Sequence, residues 1–205
     1  LVSDSKTTHY FILLTNNIGL VYLELGNYKK ALQNFQEALN KSKENNPEDN
    51  LNYTYGNLGQ AYLHLGDFEN ALKYFKLALN KNVKDQRHWA IHYRFLGDAY
   101  FGLKEYSKAK ESYQYSLKLS YLDNTKFQTA QTLYAIGVLN TEALKKGSTN
   151  YFIESLKLSQ ENNYTEISKK CLFKLAEIAK QKGDFKDALD YYERATGVRG
   201  IPHYK

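Results

Sequence analysis

The sequence predicts an all-α fold of about five antiparallel helix pairs stacked side by side. Three observations carry it. A small residue recurs in phase along the chain, at positions 19, 59, 97, 137 and 176, with intervals of 40, 38, 40 and 39 residues. A second pattern follows each of these: an alanine, an aromatic four residues on, and a further small residue three beyond that. Only 2 prolines and 12 glycines interrupt the 205 residues, which favours long helices over a turn-rich β architecture.

The first pattern reads Ile18-Gly19 with Tyr22, Leu58-Gly59 with Tyr62, and Leu96-Gly97 with Tyr100. It weakens to Ile136-Gly137 with Asn140 and to Leu175-Ala176 with Ala179. Thr15, Ile18, Gly19 and Tyr22 share one helix face. A small residue on that face lets two backbones approach closely where helices cross. The second pattern reads Ala31/Phe35/Ala38, Ala71/Phe75/Ala78, Ala109/Tyr113/Ser116 and Ala188/Tyr192/Ala195. Its aromatic is expected to fill the space beside the small residue. The fourth copy is degenerate, Ser148/Phe152/Ser155, and lies one residue nearer its glycine than the others do.

Between the two helices of a pair lie Gly26-Asn27, Gly66-Asp67, Lys104-Glu105 and Gly183-Asp184. Glycine ends a helix in the left-handed conformation and Asn or Asp caps the next. The third turn has lost its glycine and is expected to be strained. Between pairs, Asn46-Pro47-Glu48-Asp49, Asp123-Asn124-Thr125 and Asn162-Asn163-Tyr164-Thr165 offer helix starts. The pairs are therefore placed at 5–45, 46–83, 84–121, 122–162 and 163–197, with 198–205 as a tail, in a single array over 1–205. Each pair has an apolar surface on both sides and needs neighbours to cover it.

Composition narrows the function. Lys and Arg total 28 against 22 Asp and Glu, a formal charge of +6. The basic residues are spread along the chain, which fits a solvated helical surface better than a nucleic-acid footprint. The single cysteine, Cys171, can form no internal disulfide and supports no metal site. A reducing, cytoplasmic setting is expected. No stretch approaches the length of a membrane helix. The chain starts at Leu1 and contains no methionine, so it reads as a fragment of a longer protein.

Catalysis is not expected. Of the five histidines only His88 and His92 have i, i+4 spacing, and the stretch His88-Trp89-Ala90-Ile91-His92 lacks the glutamate of a zinc-protease helix. A chance pair explains them, and a packing role explains Cys171. There is no phosphate-binding glycine loop and no serine-nucleophile motif. No cofactor and no metal are expected.

With both patterns in phase through five copies, the chain resembles the tetratricopeptide repeat family. The resemblance implies a right-handed α-α superhelix. The interval exceeds the family's usual 34 residues, so each pair carries roughly one to two extra turns. That longer form is similar to the repeats of kinesin light chains, of bacterial quorum-sensing peptide receptors and of bacterial sensor arms. Where the family pattern has tryptophan, this chain has Thr15, Tyr55, Tyr93, Leu133 and Leu172.

The resemblance also implies a site. First helices line the concave surface of such arrays, and ligands lie along it. Carried over position by position, the partner-binding residues are Asn17 and Leu20 in the first repeat, and Tyr53, Asn57, Gln60 and His64 in the second. Arg94 and Phe95 follow in the third, Tyr134 in the fourth, and Lys170 and Lys174 in the fifth. Asn17 and Asn57 stand two residues before their glycines, where longer-repeat relatives use asparagine to grip a peptide main chain. An amide both donates and accepts, as a peptide group requires. Arg94 has Asp98 one turn on and is expected to pair with it. The paired Lys and Asn of the chaperone-binding subgroup are absent in this register, where Asn16 and Leu20 stand.

The function expected is a non-catalytic scaffold or sensor that binds a protein or peptide segment in the groove. The alternative is a structural segment that self-associates or packs on neighbouring repeats, which would show as an apolar terminus. RNA binding through basic residues and tyrosines is the lesser rival.

Overall fold

The computed structural model describes residues 2–44, 51–79, 88–143 and 147–197. Among the described residues there are ten helices and no strand. They are α1 Val2–Glu24, α2 Tyr28–Glu44, α3 Leu51–His64, α4 Phe68–Ala78 and α5 Trp89–Gly102, then α6 Tyr106–Leu122, α7 Lys126–Glu142, α8 Thr149–Glu161, α9 Thr165–Lys182 and α10 Phe185–Thr196. Four of the expected pairs pack as such: α1 with α2, α3 with α4, α7 with α8 and α9 with α10. The helix start at Asn46-Pro47-Glu48-Asp49 lies outside the described residues. The chain packs as two compact units, 1–112 and 113–205, divided within α6.

The turns show why the pairs form. Asn27, Asp67, Glu105 and Asp184 each donate the backbone N–H to a carbonyl five residues back, on Tyr22, Tyr62, Tyr100 and Ala179, at 2.8–3.0 Å. This bond closes a helix whose next-to-last turn residue is left-handed. Gly66 supplies that conformation at φ 77° without a Cβ clash. Lys104 adopts it at φ 60° although it bears a side chain, the strained turn expected from the lost glycine. The turns before α7 and α9 use the same bond, with Asn124 and Asn163 left-handed at φ 50° and 60°. Those asparagines end helices; they do not cap the next, since the residues before α7 and α9 are Thr125 and Tyr164 and neither makes a side-chain cap. Asn27 and Asp67 do cap, accepting from Lys30 and Asn70 backbone N–H groups at 3.3 and 3.1 Å, whereas Asp184 does not.

In the first, second and fourth pairs an aromatic ring lies on bare backbone. Phe35, Phe75 and Phe152 are fully buried. A Cβ added at Gly59 would sit 2.5 Å from Phe75 Cε1, one at Gly137 2.6 Å from Phe152 Cε1, and Gly19 meets Phe35 in the same way. Burying each ring stabilises by about 2–3 kcal/mol. The fifth pair departs from this expectation. Its small residue is Ala176, and Tyr192 stays exposed, meeting Phe173 edge-on at 5.4 Å.

In the first unit, α2 carries Ala31, Phe35, Ala38 and Leu39 inward and packs on both α1 and α3. Its core joins Leu58 and Ala61 of α3 to Phe35 and Leu39 of α2. In the second unit, α8 is covered on both sides by α7 and α9. Small hydroxyls sit at these crossings and are bonded: Ser116 to Thr132 at 2.8 Å, Thr129 to Ser120 at 3.0 Å, and Ser155 to the Ala130 carbonyl at 2.7 Å. Cys171 is fully buried and donates to Ser155 Oγ at 3.3 Å, and burial pushes its thiol up to about 11. It is a packing residue, with no thiolate available near neutral pH. No helix among the described residues is long and apolar enough to cross a membrane.

Candidate functional site

In the first unit the first helices lie side by side, α3 touching both α1 and α5, while α2 and α4 pack behind them. The face they form carries most of the residues placed by sequence.

Its centre is Arg94. The guanidinium lies 4.0 Å from the centre of the Phe95 ring, and Nη1 donates to Asp98 Oδ2 at 2.8 Å. Phe95 is stacked in turn on Phe75, ring centres 5.7 Å apart and planes 9° from parallel. An ion pair and a cation–π contact therefore set the plane of the arginine. Its Nε is buried and has no acceptor among the described residues. The expected Arg94–Asp98 pair is present.

His64 stands on the same face. It stacks on Tyr28 at 4.7 Å, 8° from parallel. Burial lowers its pKa. The charge of Arg94 acts the same way, while Asp98 and Glu24 act against it. These influences place Glu24 of α1, His64 of α3, and Arg94 and Asp98 of α5 within electrostatic reach of one another. Gln60, one turn before His64, is half-buried on α3. Such a face offers a fixed cation, carboxylates and an imidazole whose burial favours the neutral form, all able to hydrogen-bond a peptide.

Asn57 departs from the expected position. Its side chain is 3% exposed, and its Nδ2 donates to Asn16 Oδ1 at 3.2 Å. Asn16, itself buried, donates to Thr54 Oγ1 and to the Ile12 carbonyl, both at 3.0 Å. Asn57 thus belongs to a polar relay joining α1 to α3, and it is not an open groove residue. The reason is position: α3 has a first helix on each side, so the spot two residues before its glycine is covered. Asn17, at the same spot on α1, is exposed. Asn16 is buried because it lies on the side of α1 that meets α3, where it bonds Thr54. Leu20 is half-buried against the core of the first pair, and Tyr53 is half-buried with its ring 6.4 Å from that of His88.

The second unit brings Tyr134 and Lys174 together. Tyr134 packs on Phe152 with ring centres 5.7 Å apart, and its pKa is raised mainly by burial, against the pull of Lys174. Lys174 bridges Glu142 of α7 at 3.3 Å and Glu177 of its own helix at 3.1 Å. Burial alone would lower its pKa, but the two carboxylates outweigh it and hold the ammonium above its usual range. Lys170 is exposed one turn earlier. Among the described residues no three His, Cys, Asp or Glu side chains gather in a form that could hold a metal ion.

Glu24, Tyr28 and Glu142 were missed by the position-by-position reading. A signal for two of them was present. Glu24, His64 and Glu142 all stand five residues after the small residue of their repeats. Tyr28 sits on a second helix, and nothing in its own pair announces a ring from the next repeat.

Comparison with solved structures supports the architecture. The fold is similar to aspartyl phosphate phosphatase F of Bacillus subtilis, with a TM-score of 0.80 and 16% identity over 95% of this chain and 52% of that one. It is similar to a Rap protein complexed with Competence and Sporulation Factor, with a TM-score of 0.77 and 16% identity over 91% of this chain and 54% of that one. The chain thus spans about half the length of these two proteins. It also matches the putative kinesin light chain repeats of Podosopora anserina, with a TM-score of 0.62 and 12% identity over 91% and 93% of the two chains. At these identities the likeness speaks to fold alone. Sequence comparison with curated proteins finds no match. Models of the tetratricopeptide repeat match residues 10–81, 57–120 and 170–200. With repeats in phase, glycine-seated aromatics and helices packed in antiparallel pairs, the chain belongs to the tetratricopeptide repeat family.

Proposed function

We infer that the first-helix face of residues 1–112 binds an extended protein or peptide segment and performs no chemistry on it. The observation that carries this reading is Arg94. Its side chain is held in one plane by Asp98 and by the Phe95 ring, on a face that also presents His64, Gln60 and Glu24. A preorganised planar donor loses little freedom on binding, which favours recognition of main-chain carbonyls or a carboxylate. The solved Rap protein complexed with Competence and Sporulation Factor, a protein of similar fold, supports the same reading. Asn17 and Leu20 extend the face on α1. Tyr134, Lys170 and Lys174 are a second set of polar and aromatic contacts, on the other unit.

The test is to pan a random-peptide display library on the chain and measure each selected peptide against three variants. His64→Glu and Arg94→Gln alter the face, whereas Lys157→Glu alters an exposed position on α8. Selected peptides should bind His64→Glu and Arg94→Gln at least tenfold more weakly and Lys157→Glu unchanged. Peptides that bind all four proteins alike would remove the face from consideration.

A further inference from the structure

One group on the first-helix face of residues 1–112 changes its charge in mildly acid medium. His64 is the last residue of α3, a helix that holds no Asp, Glu, Lys or Arg. Its ring lies flat on Tyr28 of α2, centres 4.7 Å apart and planes 8° from parallel, and the residue is exposed. An imidazole held in one plane presents its two nitrogens in fixed directions, and solvent reaches them.

Among the described residues the charges that bear on this ring are Asp98 and Arg94 of α5 and Glu24 of α1, and neither α2 nor α4 adds another. Arg94 and Asp98 satisfy each other at 2.8 Å, so the charge left over is that of Glu24, which is exposed. These four groups together bear one net negative charge when the imidazole is neutral and none when it is protonated. Burial lowers the pKa of His64 below its ordinary 6.5. Asp98 and Glu24 oppose this and Arg94 adds to it, so the proton is taken up as pH falls beneath that value.

We propose that His64 is a proton-linked selector on this face, its protonation turning the face towards segments that bring a carboxylate to the end of α3. The proposal rests on the reading of the face as a binding site and adds its regulation. Protonation gives the ring a second N–H donor and cancels the net negative charge that repels an acidic group. By linkage, an acidic segment once bound raises the pKa of His64, and a basic one lowers it.

The test starts from a display-selected peptide that loses affinity for His64→Glu. Each of its positions is changed in turn to Asp and to Lys, and affinities are measured at pH 7.5 and 5.5, with circular dichroism confirming the fold at both. At one position the Asp version should bind about fivefold more tightly at pH 5.5 than at pH 7.5, and the Lys version about fivefold more weakly. Against His64→Gln both should be level. In the free chain, the His64 ring followed by NMR should titrate lower in Glu24→Gln and higher in Arg94→Gln. Affinities that do not change with pH overturn the proposal and leave the binding site standing. A pH dependence that persists in His64→Gln overturns it too, as does a ring titration that neither variant moves. If no selected peptide is weakened by His64→Glu, the reading of the face fails and the proposal falls with it.

Discussion

The relay of Asn16, Asn57 and Thr54 makes a quantitative prediction. Asn57→Ala removes the 3.2 Å bond to Asn16 and leaves the Asn16 oxygen short of that donor in a buried site. A lost hydrogen bond costs about 1 kcal/mol net and an orphaned buried acceptor adds about 1 kcal/mol, so a loss of about 2 kcal/mol is expected before alanine's better helix propensity returns about 0.6 kcal/mol. Asn16→Ala removes the bonds to Thr54 and Asn57 together and should cost about 3 kcal/mol. The double variant should be less destabilised than the sum of the two by about 1 kcal/mol, the signature of a shared bond. Urea unfolding followed by tryptophan fluorescence reads the right part of the chain, since Trp89 is the only tryptophan and lies within the 1–112 unit. If Asn57→Ala leaves the midpoint where it was and weakens a groove-bound peptide, the residue faces the ligand after all and the relay reasoning fails.

Three further outcomes are expected. His92 is buried against Gly56, and burial, aided by the charge of His88, lowers its pKa from 6.5 to about 4. The unfolded chain therefore takes up the proton first as pH falls. Stability is complete above pH 6.5 and declines by about 3 kcal/mol on the way to pH 4, and His92→Leu should flatten that decline in urea midpoints taken at pH 7 and 4.5. Gly59→Ala drives a methyl to within 2.5 Å of a fully buried Phe75 ring and should cost about 1–3 kcal/mol, with Phe75→Leu in the same chain recovering part of it; parallel midpoints for single and double variants check this. Lys104→Gly relieves a left-handed backbone at an exposed position and should stabilise by about 1 kcal/mol, read as a higher urea midpoint; no change would mean that the turn carries no strain.

What the sequence determined by itself is everything local and periodic. Helix faces follow from spacing, so the pairing of Gly19 with Phe35 and of Gly59 with Phe75 is written in the repeat. Turn conformation follows from backbone sterics, so the strain at Lys104 was legible as a missing glycine. Arg94 and Asp98 are one turn apart, and their bond needed nothing beyond the helix. The tertiary structure alone decided matters that depend on which helices lie on either side. Asn17 and Asn57 hold the same place in consecutive repeats, yet one is open and the other buried, because α3 has a first helix on both flanks. Tyr28 reaches His64 from another repeat, and no spacing within a single pair encodes that distance. Phe35 and Tyr192 occupy one repeat position, yet Phe35 is sealed by α3 while Tyr192 lies exposed on α10. Burial is a property of neighbours, and a repeat copies the residue without copying its neighbours.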